Sequence, residues 1–266
     1  TLFPYATLFR SRSLNFELSN SDLATAIAIA QGFIAEPTTQ EDVAVQVEAL
    51  YTAMANALTA STDPVNITAA YLENASFETG KINPWEWGSV TGGVGSPINA
   101  ESEVYLDGNK MVEFTSSGSN LLTQTVTHLP AGYYIIDAKL NQNAVLKLGT
   151  QETSCTGGTD ALYLRVHSKA MNVAAPTDLI VGARSTKAFR IDNFRLFYGK
   201  DEASLLAAIL PAVQADAQSV IGMSQFDCIT GDERTALQTA INGTDIDAIN
   251  TALNAFRSRS EERRVG

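Results

Sequence analysis

Histidine and cysteine are almost absent from this chain, with two of each in 266 residues. His128 and His167 have no histidine, cysteine or carboxylate at the spacing of a metal site, so no transition-metal motif is present. Cys155 and Cys228 lie in different predicted segments, and two cysteines in so long a chain do not form a disulfide framework. We expect both thiols to be free and buried, because free cysteine packs as a small apolar residue.

Basic residues are also scarce, with 18 lysines and arginines against 29 acidic residues and a formal net charge of −11. Because a negative chain repels phosphate backbones, nucleic acid is not an expected partner. No apolar run approaches the ~20 residues needed to span a bilayer, so we expect no membrane insertion within the chain. The length suffices for about one to three domains, and we expect a monomer.

Catalytic signatures are missing as well. No motif pairs Cys155 with a histidine. Acidic pairs such as Glu101 and Glu103 lie in a predicted loop, where they are ordinary solvated charges. We therefore predict that this chain is not an enzyme. The alternative that a catalytic domain lies outside this chain is left open.

What the chain does contain is a change of periodicity along its length. Residues 21–60 carry apolar side chains at helical spacing in two helices separated at Pro37, and residues 201–257 show three further helices. Between them, residues 64–199 are rich in Asn, Gly, Thr and Ser, and the period drops toward two. The strand candidates are 104–106, 111–115, 121–126, 133–140, 144–148, 161–166, 179–183 and 189–196.

This order of elements predicts the domains. Many short strands without intervening helices favour an antiparallel β-sandwich. The predicted fold class is therefore multidomain α and β, an antiparallel β-sandwich flanked by small helical bundles. We place a truncated helical module at 13–62, the sandwich at 63–200 and a three-helix module at 201–258.

Three motifs in the middle block resemble a known family. Segment 72–80 (Leu-Glu-Asn-Ala-Ser-Phe-Glu-Thr-Gly) is followed by Trp85 and Trp87, segment 129–134 reads Leu-Pro-Ala-Gly-Tyr-Tyr, and segment 189–196 reads Phe-Arg-Ile-Asp-Asn-Phe-Arg-Leu. In this order they resemble the galactose-binding-like jelly rolls, the carbohydrate-binding modules of secreted bacterial proteins. The resemblance implies a jelly roll, a polysaccharide or glycan as partner, and a secreted or cell-surface location.

The helical flanks resemble the small three-helix repeats of the "found in various architectures" type, which lie between modules of bacterial surface proteins. Segment 38–43 (Thr-Thr-Gln-Glu-Asp-Val), followed by the helix through Leu58, matches their last helix. The N-terminal copy would then lack its first helix.

Aromatic side chains near the first motif are the candidate ligand contacts. Trp85, Trp87 and Tyr105 offer ring faces on which the apolar C–H face of a sugar can stack. The alternative is that one tryptophan belongs to the core, since the family buries a tryptophan behind its first strand. The predicted function is noncatalytic glycan binding; the alternatives are a spacer or stalk without a ligand, and an accessory region of a larger glycoside hydrolase.

Glu78 and Asp192 are the candidate metal ligands. They fall in the expected first and last strands, and the resemblance implies that a Glu and an Asp at these positions hold a structural calcium. Calcium takes six to eight oxygen ligands, and paired carboxylates supply much of the charge. The alternative is that both accept hydrogen bonds in turns or pair with Arg190 or Arg195.

The two ends of the chain resemble translated sequencing-adapter DNA read in opposite directions. Residues 259–266 (Arg-Ser-Glu-Glu-Arg-Arg-Val-Gly) can be encoded by a string whose reverse complement reads Pro-Tyr-Thr-Thr-Leu-Phe-Arg-Ser. Residues 4–11 carry that peptide with one Thr changed to Ala. We therefore expect 1–12 and 259–266 to be non-native and poorly packed, and the chain to be a metagenomic piece of a longer reading frame.

Overall fold

A computed structural model of the chain describes residues 21–35, 39–88, 98–101, 108–155, 157, 163–222, 229 and 231–265. Two helices come first, then strands with one short helix among them, then three helices. The elements are α1 (Ser21–Ala35), α2 (Gln40–Ala60), β1 (Val65–Asn66), α3 (Thr68–Tyr71), β2 (Glu86–Gly88), β3 (Ile98–Glu101), β4 (Lys110–Phe114), β5 (Asn120–Leu129), β6 (Gly132–Leu140), β7 (Ala144–Leu148), β8 (Gln151–Cys155), β9 (Leu164–His167), β10 (Met171–Val173), β11 (Thr177–Ser185), β12 (Phe189–Gly199), α4 (Glu202–Ile221), α5 (Asp232–Ile241) and α6 (Ile246–Val265).

The strands form two antiparallel sheets. Sheet A has the order β10-β6-β12-β4-β3. In addition, β9 pairs with β6 on the same edge as β10, and β1 pairs with β12. Sheet B has the order β2-β5-β11-β7-β8. One contiguous apolar core contains residues from both sheets. The predicted antiparallel β-sandwich with flanking helices is therefore confirmed.

Most strand candidates lie where the sequence placed them, and the strands it missed are short. Candidate 104–106 lies outside the described residues. β1, β2, β3 and β10 have two to four residues each, too few to show a period. β8 is the edge of sheet B, and its sequence Gln-Glu-Thr-Ser-Cys lacks the large apolar side chains by which strands are recognised.

An aromatic cluster closes one end of the core. The Trp85 and Phe194 rings stack with centroids 4.5 Å apart, and the Phe77 ring packs on both. Phe77 belongs to the first of the three sequence motifs and Phe194 to the last. These motifs therefore act here as scaffold, because they join the first and last segments of the sandwich in one packed cluster.

Of the three C-terminal helices, α4 lies against sheet A, and α5 and α6 pack on α4 and on each other. α4 contacts β6, β9 and β12. It buries one stripe of its surface, formed by Leu205, Ile209, Val213, Ala217 and Val220. α6 continues through Val265, so the segment predicted to be non-native from residue 259 extends a helix; the side chains beyond Phe256 lie outside the described set. The assignment of both helical flanks to a known repeat, and the division at residues 62 and 200, stay predictions.

The N-terminal helices α1 and α2 pack on each other and touch the sandwich through α2. The His128 ring of β5 stacks on the Tyr51 ring of α2 at 4.0 Å, and His128 Nε2 lies 3.0 Å from Glu48 Oε1. This contact is largely open to solvent at Glu48. Buried apolar residues of α2, including Met54 and Leu58, belong to the same core as those of the sandwich, and this polar contact adds to them.

One helix passes a length-and-composition test for membrane spans, which the sequence prediction did not anticipate. α4 has 20 residues and is apolar enough in composition to cross a membrane. Its apolar stripe is already buried against the sandwich and the other two helices. The core helix of a folded domain passes the same test, so membrane insertion has no support beyond length and composition.

Candidate functional site

The outer face of sheet B is open to solvent. Along β5 and β7, buried and less buried residues alternate, which is the pattern of a sheet with one packed and one solvated face. The central outward row runs in register across all five strands, and only its middle residue has no side chain. From one edge to the other it consists of Glu86, Thr123, Gly182, Lys147 and Glu152.

Glycine in the middle of this row is required by backbone packing. A Cβ on Gly182 would lie 2.0 Å from the Leu122 carbonyl oxygen and 2.9 Å from the Thr123 Cα. Both are backbone atoms that cannot turn away. The bare position therefore leaves a shallow trough between the side chains of Thr123 and Lys147. We call the central row and this trough the sheet B row.

Charged side chains border the sheet B row on one side. Arg184 donates from Nε to Glu152 Oε1 at 3.1 Å and from Nη2 to Glu152 Oε2 at 2.6 Å. This hydrogen bonding lowers the pKa of Glu152 and raises that of Arg184, so both stay charged at neutral pH. Both side chains are well exposed and so remain available to a ligand.

The two tryptophans have different environments. Trp85 is 2% exposed, and its Nε1 donates to the backbone carbonyls of Glu73 and Asn74 at 3.0 and 3.2 Å. It has no free face for a sugar, so it leaves the set of predicted ligand contacts, and the alternative that one tryptophan is core describes it. Trp87 is 44% exposed on the edge strand β2. Tyr105 lies outside the described residues.

The predicted calcium ligands are each engaged in local hydrogen bonds. The Glu78 carboxylate accepts the backbone N–H groups of Asn109 and Lys110 at 2.8 to 3.0 Å. Gly108 beside it has φ +70, and a Cβ there would lie 2.4 Å from Glu78 Cδ. Asp192 is fully buried, and its Oδ1 accepts the Asn193 N–H at 2.6 Å. Glu78 thus holds the turn that enters β4.

The two predicted ligands alone are too few for a calcium site. Within the described residues no group of three or more His, Cys, Asp or Glu side chains gathers in a way that could hold a metal ion. Calcium needs more oxygen ligands than two separately engaged carboxylates offer. The hydrogen bonds account for Glu78 without a metal, and structural calcium stays an untested prediction.

A cleft of about 420 Å³ lies beside Glu78, and sequence reasoning missed it. It is formed where the segment after α3 passes the β12 residues Asn193 and Arg195. Asn193 has φ +48 and sits in the register shift between Asp192 and Arg195. The lining offers mainly Asn, Ser and Thr side chains, and its one aromatic ring, Phe194, is buried.

No protein-family model matches the sequence, and no curated protein matches it. Solved structures similar to this chain include the carbohydrate-binding module TmCBM61 in complex with β-1,4-galactotriose (23% identity, 48% of this chain and 97% of that one, TM-score 0.36). They also include a xylan-binding domain from CBM 22 (15% identity, 49% and 96%, TM-score 0.36). A third is a family 35 carbohydrate-binding module from Clostridium thermocellum (8% identity, 43% and 98%, TM-score 0.31).

Proposed function

We propose that this chain binds a glycan without transforming it, and that the glycan lies along the sheet B row. The observation that carries the proposal is the row itself: Glu86, Thr123, Lys147 and Glu152 stand in register around a position that admits no side chain. With neighbouring strands ~4.8 Å apart, five strands extend over roughly 19 Å. A trough of that length suits a chain of sugars better than a single small molecule.

The chemistry of the row also suits a sugar. Hydroxyl groups both donate and accept, and the row supplies a lysine donor, carboxylate acceptors and a threonine that does both. A site for a drug-like molecule would be concave and mostly apolar, which this face is not. Because the row is shallow and solvated, affinity rests on a few hydrogen bonds and is expected to be weak.

Trp87 is a second contact point for a glycan that extends around the β2 edge. Trp87 and Glu86 are consecutive on β2, so their side chains point to opposite sides of the sheet. Trp87 therefore flanks the sheet B row at the β2 edge and is not part of it. Its half-exposed ring offers an apolar platform on which one sugar of a longer chain can stack.

The test is a glycan array with the full chain, followed by titration of the best ligand. Lys147→Ala is expected to weaken binding about 10- to 150-fold, because a hydrogen bond to a charged group is worth about 1.5–3 kcal/mol. The matched control is Lys169→Ala, which removes the same charge from an exposed position outside the row. Trp87→Ala tests the edge contact independently.

Three outcomes separate the alternatives. No retention of any polysaccharide would favour the spacer function. Binding that survives Lys147→Ala but not Trp87→Ala would move the ligand to the sandwich edge. Cleavage of a bound glycan would overturn the noncatalytic part of the proposal. A secreted or cell-surface location belongs to the same proposal, because polysaccharides are met there, and fractionation of the source cells with an antibody tests it.

A further inference from the structure

A buried chain of charges joins sheet A to the C-terminal helices. At its centre is Asp137 of β6, which is 1% exposed. Arg165 of β9 donates from Nη1 to Asp137 Oδ1 at 2.7 Å, and Arg195 of β12 donates from Nε to the same oxygen at 2.9 Å. The Arg165 side chain is only 6% exposed. Two arginines thus converge on one aspartate in the interior.

The sandwich does not balance this cluster alone, because it supplies two positive groups and one negative group. The second negative group comes from α4: Asp216 Oδ2 lies 3.3 Å from Arg165 Nε. That Asp216 oxygen is buried and accepts no hydrogen bond within the described part of the chain, although the side chain as a whole is 36% exposed. The attraction to Arg165 is therefore what compensates its loss of water.

The remaining donors of Arg165 are also used. Nη2 donates to Asn193 Oδ1 at 2.8 Å, and Nη1 reaches the Asn193 carbonyl at 3.3 Å. The irregular turn of β12 at Asn193 therefore orients the guanidinium. Because its other donors are engaged within the sandwich, Arg165 presents Nε to α4 in a fixed direction.

A second polar contact lies beyond the charge cluster. His167 Nδ1 lies 3.0 Å from the Ser168 carbonyl, which can only accept, so Nδ1 carries the proton. His167 Nε2 then accepts from Asn250 Nδ2 of α6 at 3.2 Å. Two of the three C-terminal helices thus bond to neighbouring positions of β9.

We infer that the outer face of sheet A is a docking surface for the chain's own C-terminal helices, and that the sandwich and α4 to α6 unfold as one unit. Burial of the apolar stripe of α4 stabilises the contact, and the Asp137–Arg165–Asp216 chain determines the position of the helices on the sheet. It is an alternative to the expectation of two modules joined at residue 200, which stays a prediction. It does not depend on glycan binding.

Native-state hydrogen exchange of the full chain at rising denaturant tests the inference. Peptides from β6, β9, α4 and α6 are expected to lose their slowest protection at the same denaturant concentration. Asp216→Asn leaves Arg165 buried without its second charge. It is expected to lower that protection on the order of tenfold in both the strands and the helices, because Arg165 is buried while Asp216 is partly exposed.

Glu202→Gln is the matched control, since it removes one exposed acidic charge from the first turn of the same helix. It is expected to change protection less than about threefold. A double variant with Arg165→Met and Asp216→Asn should lose less than the product of the two single losses, because the two side chains interact.

Two results would overturn the inference. One is that α4 and α6 in the parent chain lose protection at a clearly lower denaturant concentration than β6 and β9. The other is that Asp216→Asn and Glu202→Gln have the same effect. Failure of Arg165→Met to fold would be seen as Trp85 fluorescence that becomes accessible to a quencher. In that case the comparison of Asp216→Asn with Glu202→Gln alone tests the inference.

Discussion

The two sheets of the sandwich differ in what covers their outer faces. In β6 the five consecutive residues 134–138 are buried, and all four residues of β9 are buried, so sheet A is packed on both sides. In β7 of sheet B, burial alternates from one residue to the next. A strand covered on both faces shows a continuous run of buried residues, whereas a strand covered on one face shows alternating burial. One sheet is thus the base for helices, and the other is left free for a ligand.

The helical contacts of the two sheets also differ in kind. Sheet A meets α4 through charges around the buried Asp137, whereas β5 of sheet B meets α2 at the pair of His128 and Glu48, whose side chains are both exposed. Removing one partner of a buried charge pair leaves the other without water or a counter-charge, whereas an exposed partner is simply rehydrated. Breaking the polar contact to the C-terminal helices is therefore expected to cost more than breaking the polar contact to the N-terminal pair.

The largest expected difference between the sheets comes from a matched pair of isoleucines on their outer faces. Ile135 lies two residues from Asp137 on the same face of β6 and is 0% exposed, whereas Ile180 of β11 is 43% exposed. Ile135→Ala is expected to lower the free energy of unfolding by about 2–5 kcal/mol. Ile180→Ala should change it by less than about 0.5 kcal/mol.

Urea unfolding followed by tryptophan fluorescence measures both isoleucine variants, because both tryptophans belong to the sandwich. Equal losses in the two variants would mean that the outer face of sheet B is also covered. That result would remove the basis for placing a glycan there.

A matched pair of glycines tests how the sheet B row is built. Gly182→Ala brings a methyl group onto two backbone atoms of β5, and we expect a loss of about 1–3 kcal/mol. Gly88 lies on β2 of the same sheet, and a Cβ there meets nothing within 4 Å. Gly88→Ala should be neutral or stabilise by about 0.4–1 kcal/mol, because it restricts the unfolded chain. If Gly182→Ala is equally neutral, the trough is not enforced by packing.

Glu78 tests whether the turn entering sheet A depends on a metal. Glu78→Ala removes the acceptor for the Asn109 and Lys110 N–H groups, and a loss of about 1 kcal/mol is expected. The loss should be the same in calcium and in EDTA, measured as the shift in thermal midpoint. Glu86→Ala, at an exposed carboxylate of β2, is the control. A loss seen only with calcium present would favour the metal-binding alternative.

The sequence predicted the layers of this fold better than the contacts between them. Strand periodicity and the three motifs predicted the sandwich, because a periodic pattern can be recognised within one segment without knowing which other segments it contacts. Trp85 and Trp87 are the same residue type two positions apart, and only the edge position of β2 leaves Trp87 uncovered. Asp137, Arg165 and Asp216 are far apart in the chain, and no local pattern indicates that folding brings them together.

The smallest expected effect concerns Cys155, at the end of β8 on the edge of the open sheet. Burial raises the pKa of its thiol to about 12, so the thiol is protonated at neutral pH despite its position on an edge strand. In the unfolded chain the pKa returns to about 8.5. The thiol therefore favours the folded state below about pH 8.5, and this contribution is lost as the pH rises toward the folded pKa.

Because only the thiolate reacts, alkylation of Cys155 at pH 8 should be slow in the native protein and fast in urea. Peptide mapping by mass spectrometry measures this separately from Cys228. Rapid native alkylation would show that the inner side of β8 is open to solvent, and that the two sheets differ less at this edge than at their centres.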